Sequence, residues 1–240
     1  MGKPIFILIF TMLTSVLTAQ VNELGLLLGG SNHVGDVGSS KVFRPFSSAS
    51  GLIYKFNKTP RIAYRASLSK LNINPDDADS YNEVQHSFEN SINKSITELS
   101  VGIEINFFEY NLAYRGQERT PYLFLGLAAI QFKAAQSTAP SVDPEIIVNY
   151  ENERSLAIPF GIGYKTRLYG RFALAIETRV QYTFTDNLDD GQFISEEILA
   201  ADHPNKEKFN NSATNDWYTF TGISLVYTFG RPACYNSRIR

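Results

Sequence analysis

The stretch that most constrains the fold is Asp216 to Gly230, reading DWYTFTGISLVYTFG. At period two, one face carries Thr219, Thr221, Ile223, Leu225, Tyr227 and Phe229. The other carries Tyr218, Phe220, Gly222, Ser224, Val226 and Thr228. About a dozen extended residues with an apolar face and aromatics at both ends match a strand tilted across a bilayer. Such a strand cannot stand alone in lipid, where its backbone donors and acceptors lack partners, so it must close into a barrel with others. The chain upstream should therefore hold an even number of similar segments, after an export signal.

Both are legible. Lys3 gives a short basic region, and Ile5 to Leu17 form an apolar core too short to span as a helix. Residues 1–19 read as a signal peptide cleaved after Ala19, with no Cys nearby for a lipid anchor. Residues 20–230 then form the barrel, and 231–240 a tail beyond it.

Eight strand-like segments follow: Asn22 to Ser31, Ser48 to Phe56, Arg61 to Leu71, Thr97 to Phe107, Tyr122 to Lys133, Leu156 to Leu168, Phe172 to Thr185 and Asp216 to Gly230. The fourth alternates most clearly, with Leu99, Val101, Ile103, Ile105 and Phe107 against Glu98, Ser100, Gly102, Glu104 and Asn106. The facing of the fifth does not resolve. Asn57 to Pro60 and Tyr169-Gly170 are tight turns, Phe108 to Pro121 is intermediate, and the other connections, including Ala134 to Ser155, read as long polar loops. This rhythm implies an all-β fold: an eight-stranded antiparallel transmembrane β-barrel with short periplasmic turns and long external loops. Both termini then fall on the periplasmic side of an outer membrane.

A soluble barrel would turn its apolar faces inward. Here Glu98 and Glu104 lie opposite branched and aromatic residues, which suits a polar lumen and a lipid-facing exterior. Lys55, Arg65, Glu98, Glu104, Lys165, Glu177 and Arg179 share the inward parity. An eight-stranded interior is just wide enough for side chains to fill, so these charges read as a mutually paired plug rather than a pore.

Other chemistry finds little support. A net charge of −2 carries no nucleic-acid footprint. His33, His86 and His203 fall in loops, with no spacing that fixes a catalytic arrangement, so no enzyme and no cofactor are expected. GGSNHVGDVG resembles a phosphate cradle, but no helical pattern follows it. Asp76-Asp77-Ala78-Asp79 and Asp186 to Asp190 lack a calcium-loop register, so no metal site is expected. The single cysteine, Cys234, has no partner in its own chain. In an oxidising compartment it is either an idle thiol or half of an intermolecular disulfide.

Several segments also carry a resemblance: GGSNHVGDVG (29–38), GLIYKFNKTPRIAYR (51–65), ELSVGIEINFFEYN (98–111), TPYLFLGLAA (120–129), AIPFGIGYKTRL (157–168), YTFTDNLDD (182–190) and NDWYTFTGISLVYTFGRPACY (215–235). With them the chain resembles the PorG-like family, the outer-membrane barrel component of the type IX secretion system of Bacteroidetes. The resemblance implies a non-enzymatic role in protein secretion, and in gliding motility where the species glides. It implies as partners a PorK-like lipoprotein and a PorN-like protein, which form a periplasmic ring, besides outer-membrane lipid. The expected partner-binding residues lie on the periplasmic side: Glu109, Tyr110, Tyr114, Arg115 and Arg119 in the intermediate connection, and Arg231, Cys234 and Tyr235 in the tail. The alternative is a surface-exposed binding or adhesin-type barrel acting through its external loops.

Overall fold

The computed structural model describes residues 21–34, 47–73, 94–110, 118–137, 148–185, 188 and 216–230. Within them run the strands β1 (Val21–Val34), β2 (Ser47–Asn57), β3 (Ile62–Ile73), β4 (Lys94–Asn106), β5 (Arg119–Ser137), β6 (Val148–Tyr169), β7 (Phe172–Thr183) and β8 (Trp217–Gly230). Each pairs with its neighbours in sequence, all antiparallel, and β8 closes on β1 from Val21↔Gly230 to Val34↔Trp217. Closure leaves no open sheet edge, which is what a bilayer requires of strands.

The period-two reading holds around the wall. Leu24, Leu26, Leu52, Leu68, Leu99, Val101, Leu127, Ile162, Ile176 and Ile223 point outward and are exposed. Exposed aromatics gather at one end of this band at Tyr64, Phe107, Tyr164, Phe172 and Tyr227, and at the other at Phe184 and Trp217. An apolar belt with aromatic girdles is the surface of a strand barrel in lipid. Within the lower girdle Phe172 and Tyr227 pack at 5.3 Å, and in the upper one Tyr182 meets Trp217 edge-on at 5.1 Å.

The fifth strand, ambiguous in sequence, turns Tyr122, Phe124, Ala128, Ile130 and Phe132 inward and Leu123, Leu125 and Leu127 outward. Both its faces are apolar, so alternation carried no signal there. A second difference concerns residues 134–155, expected as a polar loop. β5 instead continues to Ser137 and β6 begins at Val148, the two pairing from Ala128↔Ala157 to Ser137↔Val148. β4 follows β5 only to Gln131 and β7 follows β6 only from Ala157, so this hairpin extends past its neighbours. Its described outward side chains beyond the apolar belt, Gln131, Lys133, Asn152 and Arg154, are polar, which hides the strand pattern. Its inner face buries Phe132 and Ala134 in a cluster with Leu71, Ile73, Ile96 and Ile130.

One end of the barrel holds both strand termini, the β2–β3 and β6–β7 turns, and the β4–β5 connection; it is called here the short-turn end. Gly170 supplies the positive φ (59°) that the tight β6–β7 turn needs. The segments 1–19 and 231–240 lie outside the described residues.

Candidate functional site

The alternation places charge inside the barrel, and the structure joins Lys55, Arg65, Glu98, Glu104, Lys165, Glu177 and Arg179, the seven charges read as inward, into one buried network. Glu104 on β4 takes Lys55 at 2.8 Å, Lys165, and Arg65 at 3.9 Å. Glu177 on β7 takes a bidentate pair from Arg65, whose Nη1 and Nη2 donate at 2.6 and 2.7 Å. It also accepts the Tyr122 hydroxyl at 2.7 Å and pairs with Arg179 Nε at 3.2 Å. Arg179 reaches on to Glu98 at 3.5 Å, and Glu98 accepts the Tyr218 hydroxyl at 2.6 Å. Buried charges persist only when paired and hydrogen-bonded in this way.

Aromatic rings and glycines set the height of this layer. Arg65 lies over the Phe124 ring at 4.5 Å, Arg179 over Phe220 at 4.8 Å, and Lys55 and Lys165 over Tyr122 at 5.2 and 5.4 Å. Glycines on the strands beside them leave room for these rings against the wall. Gly102 and Gly126 face each other across β4 and β5, and a Cβ on Gly102 would stand 2.8 Å from Phe124. Gly29 and Gly222 do the same for Phe220, and Gly163 for Tyr122. The sequence thus alternates glycine and aromatic so that rings can carry the cations across a narrow lumen.

Glu23, not singled out from sequence, is also buried in the lumen, opposite Lys55 in the β1–β2 register. Its parity, opposite to Leu24 and Leu26, was the available signal. With it the layer holds four basic side chains, Lys55, Arg65, Lys165 and Arg179, and four acidic ones, Glu23, Glu98, Glu104 and Glu177. Lys94, nearer the long-loop end, is likewise buried and sits 5.8 Å over the Phe132 ring. Above the ionic layer, toward the long loops, Leu27, Ile96, Ile130, Phe132, Tyr218 and Phe220 form one apolar cluster, with buried Ser69, Gln181 and Thr183 at the same end.

The short-turn end is covered by Tyr110. Its backbone N–H donates to Pro60 O at 3.0 Å, and its ring packs with Ile53, Ala173 and Val226 and carries Lys165 at 4.6 Å. Burial, helped by the nearby Glu23 charge, pushes the Tyr110 hydroxyl far above the ordinary tyrosine range, so it stays neutral. Tyr110 was expected on a partner-facing surface. At 2% exposure it instead packs into the barrel mouth against Ile53, Ala173 and Val226.

Glu109 does face solvent, 3.6 Å from Arg61, and Arg119 is exposed at the start of β5. At the same end of the barrel Phe107, Phe108 and Tyr169 are exposed. Tyr114, Arg115, Arg231, Cys234 and Tyr235 lie outside the described residues, as do His86 and His203.

A closed, even-stranded antiparallel barrel with an apolar belt, aromatic girdles and a charge-filled lumen is an outer-membrane β-barrel. The chain belongs to the family described as Domain of unknown function (DUF6089), whose model matches residues 3–238. No curated protein matches it. Among solved structures it is similar to the N-terminal β-barrel domain of Pseudomonas aeruginosa OprF, at 12% identity over 88% of this chain and 98% of that one, TM-score 0.43. It is similar also to Neisserial surface protein A (8%, 88% and 97%, TM-score 0.48) and to the attachment invasion locus protein Ail of Yersinia pestis (12%, 88% and 100%, TM-score 0.42). At that distance nothing of their functions transfers, and the functional reading rests on this chain's own residues.

Proposed function

We propose that this barrel is a non-enzymatic component of the type IX protein secretion machinery, docking a periplasmic ring of PorK-like and PorN-like proteins to the outer membrane. In this reading the short-turn end faces the periplasm and makes the contact, and in gliding species the same contact serves motility. The sequence resemblance supplies the partners. The observation that carries the docking surface is exposed Phe108 next to the Arg61–Glu109 pair, with exposed Tyr169 at the same end of the barrel. Phe108 and Tyr169 are 63% and 87% exposed, an aromatic and charged mixture that suits a protein contact. The filled lumen supports the reading too, since the buried pairs across it speak against a path through the barrel.

The test is co-purification of the ring with the barrel carrying Phe108→Ala, Glu109→Arg and Tyr169→Ala together, with secreted cargo measured in the same strain. Recovery of ring protein should fall several-fold while heat-modifiable gel migration stays that of a folded barrel. Unchanged recovery and secretion would reject this surface. A non-reducing gel of wild type beside Cys234→Ser checks the tail: a thiol-sensitive larger band lost in the variant gives a covalent partner by mass.

The rival, a binding barrel acting through its external loops, draws on the β5–β6 hairpin that extends past its neighbours at the long-loop end. Replacing residues 186–215 with a short turn separates the two readings. Loss of secretion from a correctly assembled barrel would favour the rival.

A further inference from the structure

We infer that the lipid-facing wall over β3 to β6 carries a built site for one diacyl phospholipid with an anionic headgroup. The inference is independent of the secretion role. It starts from three register rows on the outer face. The upper row is Tyr54–Ala66–Val101–Leu127, the middle Phe56–Tyr64–Ile103–Leu125–Phe160, and the lower Ile62–Ile105–Leu123–Ile162–Thr178. Ala66 stands where its row is otherwise large, and Thr178 is small and branched at the far end of the lower row. Each leaves a depression beside the middle row.

The result is two parallel grooves that share Ile103 and Leu125 as the ridge between them. One, of about 820 Å³, is walled by Tyr54, Phe56, Tyr64, Val101, Leu127 and Ile158, with Ala66 as its floor. The other, of about 630 Å³, runs between Ile105, Leu123 and Ile162 on one side and Phe160 and Val180 on the other. Both are apolar depressions open along the lipid-facing side, so what lies in them is a chain running along the wall rather than an enclosed ligand. Because the strands tilt steeply, grooves that run across them lie oblique to the membrane plane. Two adjacent apolar grooves astride one ridge fit two acyl chains joined at one end.

The joined end is marked by charge. Both grooves start beside the β2–β3 turn: Tyr64 opens the first, and Ile105, paired with Ile62, opens the second. Lys58 in that turn is exposed, its Nζ 3.5 Å from the Tyr64 hydroxyl and 5.7 Å from its ring. The ring is in turn stacked on Phe56 at 6.3 Å, so the ammonium sits beside the aromatic end of the first groove. Arg61 follows, its Nη1 donating to Phe107 O at 3.1 Å while its Nε lies 3.6 Å from Glu109. A phosphate at the membrane surface here meets Lys58 directly, with Arg61 behind it. Charge complementarity thus selects an anionic phospholipid over the other occupants of an apolar wall, a second barrel or an apolar partner segment.

The experiment is native mass spectrometry of the full barrel released from detergent after exposure to dioleoyl phosphatidylglycerol, dioleoyl phosphatidylcholine or the single-chain lysophosphatidylglycerol. Wild type should retain one phosphatidylglycerol in preference to either competitor. Ala66→Phe, which fills the first groove with apolar volume, should cut retention about tenfold, the effect of losing about 1.4 kcal/mol of contact. Lys58→Gln with Arg61→Gln should abolish the preference for phosphatidylglycerol over phosphatidylcholine while leaving diacyl retention largely intact. Leu225→Ala, on the opposite wall, should change nothing. Equal retention by wild type and Ala66→Phe overturns the site, and so does a dimer mass that Ala66→Phe abolishes, since the occupant is then a second copy. If Ala66→Phe fails to fold by heat-modifiable migration, Ala66→Leu carries the same comparison.

Discussion

Arg65 and Glu177 stand 112 residues apart in sequence and meet across the lumen as a bidentate pair at 2.6 and 2.7 Å. Arg65 leaves β3 and Glu177 leaves β7, strands that share no backbone ladder. The pair is thus a strut across the barrel rather than a rung of its wall. Removing one partner strands the other as an uncompensated buried charge, which costs about 3–5 kcal/mol. Glu177→Ala should therefore destabilise the barrel by that amount in urea unfolding from lipid vesicles, followed by the fluorescence of Trp217, the one tryptophan. Arg65→Met with Glu177→Leu should recover most of the loss, because the remaining charges still pair through Glu104 and Glu98. A double variant as unstable as the single one would show that the strut holds the fold by geometry rather than by charge balance.

Gly102→Ala tests the shelf beneath that strut. The added Cβ meets the backbone of Gly126 at 2.7 Å and the Phe124 ring at 2.8 Å. Overpacking of this kind costs about 1–3 kcal/mol. Since backbone as well as ring must move, trimming the ring should not rescue the variant: Gly102→Ala with Phe124→Leu is expected to be no more stable than Gly102→Ala alone. Rescue in the same unfolding assay would make the ring the whole of the conflict.

The sequence was legible where one face is apolar and the other is not. β4 alternates cleanly, so its facing followed from parity, as did the inward placing of the charges on β2, β3, β6 and β7. β5 was opaque because its inward Phe124 and Ile130 are as apolar as its outward Leu125 and Leu127. The extension of β5 and β6 was opaque for the opposite reason: past the lipid belt, a strand has no apolar outer face to show. Parity also cannot say which carboxylate meets which cation, since cross-lumen contacts depend on strand tilt and stagger rather than on spacing. Tyr110 was misplaced because it lies among charged residues in a connection, and its burial comes from the backbone bond to Pro60 O.

The lipid-facing surface gives a third prediction. Val101 lies in the middle of the apolar belt and is exposed, whereas Gln131 marks where β5 leaves it. Val101→Arg should cost about 2–4 kcal/mol and Gln131→Arg about 0–1 kcal/mol, the dependence on depth expected for a charge on a barrel's outer face. Equal costs at the two positions, measured by unfolding from vesicles, would mean that the belt is not in hydrocarbon.

Tyr110 gives the fourth. It is the lid of the short-turn mouth, and truncation to Ala removes a large buried ring, at about 3–5 kcal/mol by analogy with other aromatic truncations. The loss should not open a channel. Beneath the ring lies Lys165, held by Glu104, which also binds Lys55, and beyond them the Arg65–Glu177–Arg179 layer closes the cross-section. Planar bilayers containing Tyr110→Ala should therefore stay as silent as those containing wild type, while the unfolding midpoint falls. Steady conductance in Tyr110→Ala alone would make the lid the seal and reduce the ionic layer to a lining. Silence in Tyr110→Ala but conductance in Tyr110→Ala with Glu104→Ala and Lys165→Ala would place the seal in the ionic layer, the arrangement that the buried pairs require.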